Sequence, residues 1–390
     1  MTNETPFWRH LAPLSASVFL EFLAMGLPLT VLPGHVHQAL GFGSFVVGLA
    51  IGSQSWATLL TRHSAGAQSD RRGPRSAARL GLLLSGLAGA TYVVSSAVSK
   101  PQLALAVLLL GRALLGIGES LVITGALSWG VALAGRERSG LVMSWVGVAM
   151  YGALAAGAPL GALLASQFGF GAMCAAAAVA PLLALGTLGL VRNVEPIGGV
   201  RLPFYRVLGL IALPGAGLTL SAVSFGAIAA FSSLYFGERA WSHAALAMSA
   251  FGVAYVLARL LLGGLPDRFG GARIALASAA VAAVGQFGMW LAPSGAVAIA
   301  AAALTGLGFS LAFPAFGVEA IRRVPPQNRG VALGAFAACF DLSMGFGVPL
   351  LGLLVGWQGY GAAFAAGGAA ALVALVVALV LASGTERSAS

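Results

Sequence analysis

Gly66-Ala-Gln-Ser-Asp70-Arg71-Arg72-Gly73 and Gly263-Gly-Leu-Pro-Asp267-Arg268-Phe-Gly270 are two copies of one pattern, 197 positions apart. Each follows one apolar block and precedes another. Outward from them the same order of marks recurs. Gly116-Ile-Gly118-Glu-Ser120 matches Gly306-Leu-Gly308-Phe-Ser310, Ser139-Gly140 matches Arg329-Gly330, and Ala158-Pro159-Leu-Gly161 matches Val348-Pro349-Leu-Leu351, each 190 apart. A seven-residue deletion accounts for the drift between the two offsets. The chain therefore reads as a duplication, with units at 1–195 and 205–390 and a linker at 196–204 that holds Pro196, Gly198, Gly199 and Pro203.

Composition says where such a chain lives. The 390 residues are 59% hydrophobic and 8% charged, whereas a soluble domain is about one quarter charged. Stretches 172–191, 276–292 and 362–382 carry no charge. About 20 apolar residues cross a bilayer core as a helix, and a helix satisfies its own backbone polar groups, as lipid requires. Reading blocks between punctuation gives twelve spans, near 11–33, 44–65, 77–98, 102–133, 139–166, 170–191, 205–236, 243–264, 273–292, 295–321, 329–355 and 360–382. The expected fold is an all-α membrane protein, twelve transmembrane helices in two pseudo-symmetric six-helix bundles. The 55 glycines allow close helix approach, since packing drives association in lipid. Block 11–32 is long for the apolar core of a cleavable signal and lacks a small-residue cleavage site after it.

Arginine placement orients the spans. With the N-terminus inside, seventeen basic residues fall on inner segments, among them Arg9, Arg71, Arg72, Arg268, Arg322 and Arg323. Only Lys100 and Arg239 fall outside, and Arg112 and Arg259 lie within spans. That asymmetry predicts a multi-pass protein of the cytoplasmic (inner) membrane with both termini in the cytoplasm. It also accounts for the net charge of +10 without nucleic acid, because the arginines are spread over every inner loop.

Charges inside spans are costly unless paired or hydrated, so the few present are candidates for mechanism. They are Glu21 in span one, Arg112 and Glu119 in span four, Arg259 in span eight and Asp341 in span eleven. Arg112 and Glu119 are seven residues apart, about two helical turns, and share a face. Glu319, beside Arg322 and Arg323, reads as an ion partner near the inner end of span ten. Phe225, Phe231 and Tyr235 share a broad face of span seven, suited to core packing or to an organic ligand. Cys174 and Cys339 read as small core residues, and the histidines are too scattered for a metal site. Neither cofactor nor metal is expected. Gly111–Gly118 lacks the Lys-Ser/Thr pair of a phosphate-binding loop, and no catalytic cluster stands out, so an enzyme is not expected.

Asp70-Arg71-x-Gly73-x-Arg75 after span two resembles the signature loop of the major facilitator superfamily. Arg112-x-x-x-Gly116-x-Gly118 resembles its span-four motif, and Gly157-Ala-Pro159-Leu-Gly161 its Gly-Pro motif associated with antiporters. The likeness covers the whole chain. Gly-Leu-Pro-Leu at 26–29, Leu-Gly-Arg at 110–112 and Asp341-Leu-Ser bring it nearest the YhhS/YfcJ-type, arabinose-efflux-related inner-membrane proteins. Pro74 stands where a basic residue is usual, and Ala158 and Ala162 where glycine is usual. The resemblance implies a monomeric secondary transporter that moves a small organic molecule by alternating access, as proton-coupled efflux or else as uptake. A receptor that has lost transport is the third reading. The resemblance turns Glu21 and Arg112 toward the cavity, and Glu119 and Asp341, charged residues within spans, join them as candidates for proton coupling or the substrate cavity. It makes Asp70, Arg71, Gly73, Arg75, Asp267 and Arg268 a conformational lock, and Gly157, Pro159, Gly161 and Pro349 hinge or packing residues. The orientation itself is tested by cysteine labelling at Gly198 and Ser99, which should react from opposite faces of the membrane; reaction of both from one face contradicts the twelve-span reading.

Overall fold

The structure is a computed structural model, and it describes residues 5–135, 139–194, 204–325 and 329–387. Among the described residues twelve helices are long and apolar enough to cross a membrane. They are α1 (Arg9–Ala39), α2 (Ser44–Arg72), α3 (Pro74–Ala97), α4 (Pro101–Ala134), α5 (Trp145–Phe168) and α6 (Phe170–Leu188), then α7 (Ala212–Glu238), α8 (Ala245–Leu262), α9 (Gly271–Trp290), α10 (Gly295–Arg322), α11 (Gly334–Gln358) and α12 (Gly361–Ser383). Among the described residues there is no strand. Positions 196–203 of the expected linker lie outside the described residues.

Several boundaries depart from the apolar blocks, each for a local reason. α2 does not stop near 65 but runs to Arg72, so Gly66–Arg72 is helix rather than loop. Its Ala, Gln, Ser, Asp and Arg residues are compatible with helix, and the break falls at Gly73 alone, whose φ of +86° suits glycine. Gly270, its partner in the duplication, has φ +91°. Span seven is interrupted at Ile211, between a short helix Phe204–Leu210 and α7. Pro214 follows and has no N–H to return to Leu210. Span eleven contains a π-helical turn at Ser343–Gly347, just before Pro349. A proline clashes with the carbonyl four residues back, and the wider turn removes that clash.

The described residues form two compact units. One holds Met1–Phe42 and Ser53–Gly199, the other Gly43–Gly52 and Val200–Ser390. The assignment of Gly43–Gly52 to the second unit has a packing basis. A Cβ on Gly48 or Gly52 would lie 2.7 Å from the carbonyl oxygen of Val348 or Met344, and one on Gly352 would lie 2.5 Å from that of Ser44.

Each unit repeats the other's internal contacts at the duplicated positions. In the first, a Cβ on Gly116 would run into the Gln54 carbonyl oxygen; in the second, one on Gly306 would run into that of Phe251. In the first unit α1 crosses α5 just as closely. Gly26 faces Gly157, and a Cβ on Gly161 would overlap the Leu27 carbonyl oxygen. The Thr30 hydroxyl donates to the Ala158 carbonyl at 3.1 Å, beside Pro159. Gly161→Ala should therefore destabilise the protein by about 1–3 kcal/mol through overpacking, whereas Gly186→Ala, where a Cβ meets nothing within 4 Å, should not. Thermal unfolding in detergent checks this; an unchanged midpoint for Gly161→Ala would show that the α1–α5 crossing is looser.

Candidate functional site

The polar interior of the first unit lies where α1, α2, α3 and α4 meet. Its first member is Glu21 on α1, only 1% exposed. The Ser85 hydroxyl on α3 donates to Glu21 Oε1 at 2.5 Å. Glu21 Oε2 is buried and has no hydrogen-bond partner among the described residues. Such an atom is expensive to bury.

Glu119 on α4 lies within electrostatic range of Glu21. It is half-buried. Its Oε2 accepts from Gln54 Nε2 at 2.7 Å and lies 3.3 Å from the Thr58 hydroxyl. Gln54 and Thr58 are one helical turn apart on α2, and both are buried. The Thr58 hydroxyl also lies 3.0 Å from the Gly116 carbonyl oxygen and 3.1 Å from that of Gln54. The glycine at 116 permits this approach, since any side chain there would meet the α2 backbone.

Arg112, two turns before Glu119, is buried. Its charge acts on Tyr92 of α3, whose ring packs against the α4 backbone at Gly111. Tyr92 lies within electrostatic range of both Arg112 and Glu21. Glu21, Glu119 and Arg112 thus belong to one polar region, but the hydrogen bond of Glu21 goes to Ser85. Gln54, Thr58, Ser85 and Tyr92 escape a reading based on charge. The signal available was the spacing of Gln54 and Thr58 on one face of an apolar helix.

The second unit fills the corresponding positions differently. Gln54, Thr58 and Glu119 correspond under the duplication to Phe251, Tyr255 and Phe309. These rings pack with centroids 6.1–6.4 Å apart, and Phe225 joins at 5.5 Å from Phe251 and 6.0 Å from Phe309. Phe225 therefore belongs to an aromatic core; Tyr235 instead donates to the Met289 and Trp290 carbonyls at 3.2 and 3.3 Å. Arg259 donates to the Ser310 carbonyl at 3.2 Å. Asp341 is buried just before the π-helical turn that leads to Pro349.

The remaining sequence candidates sit at helix ends. Asp70 is half-buried and Arg71 exposed in the last turn of α2; Gly73 is buried and Arg75 half-buried at the start of α3. Asp267 and Arg268 are exposed in the short helix Leu265–Phe269. Glu319 does more than pair with Arg322 at 3.5 Å and Arg323 at 3.4 Å. Its Oε1 also accepts from the Ala272 N–H at 3.2 Å, one of the first-turn donors of α9 that the helix itself leaves unsatisfied. Both cysteines are free and buried. Among the described residues no group of His, Cys, Asp and Glu could hold a metal ion.

Comparison with known proteins gives this arrangement a context. The family model described as Major Facilitator Superfamily matches residues 14–237 and 215–390. The chain belongs to the major facilitator superfamily. An uncharacterized MFS-type transporter of Salmonella typhimurium is 44% identical over 371 residues, covering 94% of this chain and 95% of that protein. One of Pseudomonas aeruginosa is 45% identical over 364 residues, covering 93% and 90%. Among solved structures, the D-xylose-proton symporter has a TM-score of 0.75 at 17% identity, covering 95% of this chain and 97% of that one. A single-site mutant of the nucleoside transporter NupG has 0.70 at 16%, covering 95% and 99%. At these identities the solved structures establish the twelve-helix fold. Family and fold together make this a multi-pass membrane transport protein that carries a small molecule.

Proposed function

We propose that the protein exports a small organic molecule across the cytoplasmic membrane in exchange for protons, with both termini inside, as a monomer of the YhhS/YfcJ type. The observation that carries this reading is the Glu21 carboxyl, buried inside the helix bundle with Oε1 held by Ser85 and Oε2 unpartnered. A carboxyl placed so can take up a proton at Oε2 without losing a hydrogen bond. Arg112 keeps its charge throughout and serves as electrostatic anchor, not as proton carrier. Glu119 and Asp341 are the further acidic members of the coupling set. Asp70, Arg71, Gly73 and Arg75, with Asp267 and Arg268 in the duplicate, act as the conformational lock of an alternating-access cycle. Gly157, Pro159, Gly161 and Pro349 serve packing or hinge roles.

Coupled or facilitative uptake is the second reading. It is favoured by Ala158 and Ala162, which stand where the antiporter-associated motif has glycine.

Proteoliposomes with an imposed pH gradient and a lumenal pH dye separate these readings. A panel of sugars, organic cations and organic anions is added in turn, and the direction of gradient-driven flux is read. At least one compound should dissipate the gradient through the wild-type protein and drive its own efflux against proton entry. Glu21→Gln should abolish gradient-driven flux and leave substrate counterflow. Asp70→Asn should slow both processes without lowering expression. Normal gradient-driven flux in Glu21→Gln removes Glu21 from coupling.

A further inference from the structure

Gln54 and Thr58 meet Glu119 in an arrangement with more hydrogen-bonding capacity than one protonation state uses. Gln54 Nε2 donates to Glu119 Oε2, while Gln54 Oε1 is buried and has no partner among the described residues. The Thr58 hydroxyl has one hydrogen and three acceptors in reach: Glu119 Oε2 at 3.3 Å, the Gly116 carbonyl at 3.0 Å and the Gln54 carbonyl at 3.1 Å. Burying the spare amide oxygen unpartnered costs stability, and here it lies on the side chain that holds a carboxyl.

We propose that Glu119 is a second proton-binding carboxyl, and that Gln54 and Thr58 are the positioning residues that satisfy it in both its states. The proposal rests on the reading of Glu21 as a proton carrier. In the ionised state Glu119 accepts from the Gln54 amide and the Thr58 hydroxyl. A proton from hydronium, which is left as water, then bonds to Glu119 Oε2 and gives a neutral acid. The Gln54 amide turns over about its last side-chain bond, so that Oε1 accepts the new O–H. Its two ends have nearly the same shape, so the turn needs no repacking. The Thr58 hydroxyl swings from Oε2 to the Gly116 carbonyl. Glu119 Oε2 keeps a side-chain partner on either side of the transfer, which lets Glu119 exchange protons inside the bundle.

Other charged or titratable groups on the helices of this unit include Glu21, His35 and His37 on α1, Arg62 and His63 on α2, Tyr92 on α3, Arg112 on α4, Tyr151 on α5 and Cys174 on α6. Of these, Glu21 lies within electrostatic range of Glu119. The unlike partners of the two carboxyls, a single hydroxyl for Glu21 and an amide with a hydroxyl for Glu119, make them two distinguishable sites.

The test reads protonation directly, without a substrate. Infrared difference spectra between acid and alkaline pH are recorded on the purified full-length protein in detergent, in the region of the carboxylic C=O stretch. The wild type should show a band lost in Glu119→Gln and a different band lost in Glu21→Gln. Gln54→Leu should move the Glu119 band to higher frequency, because its acid loses a partner, and leave the Glu21 band in place. Thr58→Val should also move the Glu119 band, and Thr58→Ser should restore it, so the result stands even if Gln54→Leu does not fold. A spectrum unchanged by Glu119→Gln, or a Glu119 band indifferent to Gln54→Leu and Thr58→Val, overturns the proposal. Should both bands appear while Glu21→Gln keeps gradient-driven flux, the coupling role of Glu21 fails and the two-state account of Glu119 stands.

Discussion

In a bilayer a polar atom has only the partners that the fold supplies, because the hydrocarbon offers none. That constraint organises both units. Helices meet across glycines so closely that side chains reach neighbouring backbones. Thr58 lies beside the Gly116 carbonyl, Ser278 donates to the Gly308 carbonyl, Ser310 to the Tyr255 carbonyl and Thr30 to the Ala158 carbonyl. Short hydroxyl residues serve here because they bond to a backbone one helix away without holding the helices apart. Among the described residues partners run out at Glu21 Oε2 and Gln54 Oε1 in the first unit, and at atoms such as Gln286 Oε1 and Ser343 Oγ in the second.

The duplication lets the two units be compared. The same glycine contact occurs at Gly116 and Gly306, so the two units share a packing plan. On that plan the first unit places a glutamine, a threonine and a glutamate, and the second a phenylalanine, a tyrosine and a phenylalanine. Aromatic pairs at such separations each contribute about 0.5–1.5 kcal/mol beyond their burial, and they bring no proton chemistry. The first unit thus holds a hydrogen-bonded polar set, while the matching place in the second is a packed aromatic cluster. The aromatic set shows that the scaffold does not require polarity at these positions.

Much of this was legible in the sequence, because lipid imposes a crude and strong code. Twelve apolar blocks predicted twelve helices. Glu21 and Glu119 were legible as charges where charge is costly. Other features depend on tertiary geometry. The helical course of Gly66–Arg72 depends on one glycine turn at Gly73, which the polar composition hid. The π-helical turn before Pro349 was invisible because a proline inside a span signals a kink without its form. Ser85 as the partner of Glu21 could not be read, since a single serine in an apolar helix is common and its facing residue is set by packing. Glu319 looked like an ion partner from its two arginines, and its bond to the Ala272 N–H appears only once α9 and α10 are side by side.

The central claim is that Glu21 is a carboxyl that holds a proton in apolar surroundings. Labelling with dicyclohexylcarbodiimide tests this most directly, because that apolar reagent reacts with protonated carboxyls in apolar sites. The purified protein would be treated across a range of pH and the modified residue located by peptide mass spectrometry. The account predicts modification at Glu21 that declines as pH rises, and its loss in Glu21→Gln. Absence of modification at Glu21 at every pH, with an exposed carboxyl such as Asp267 reacting instead, would contradict it.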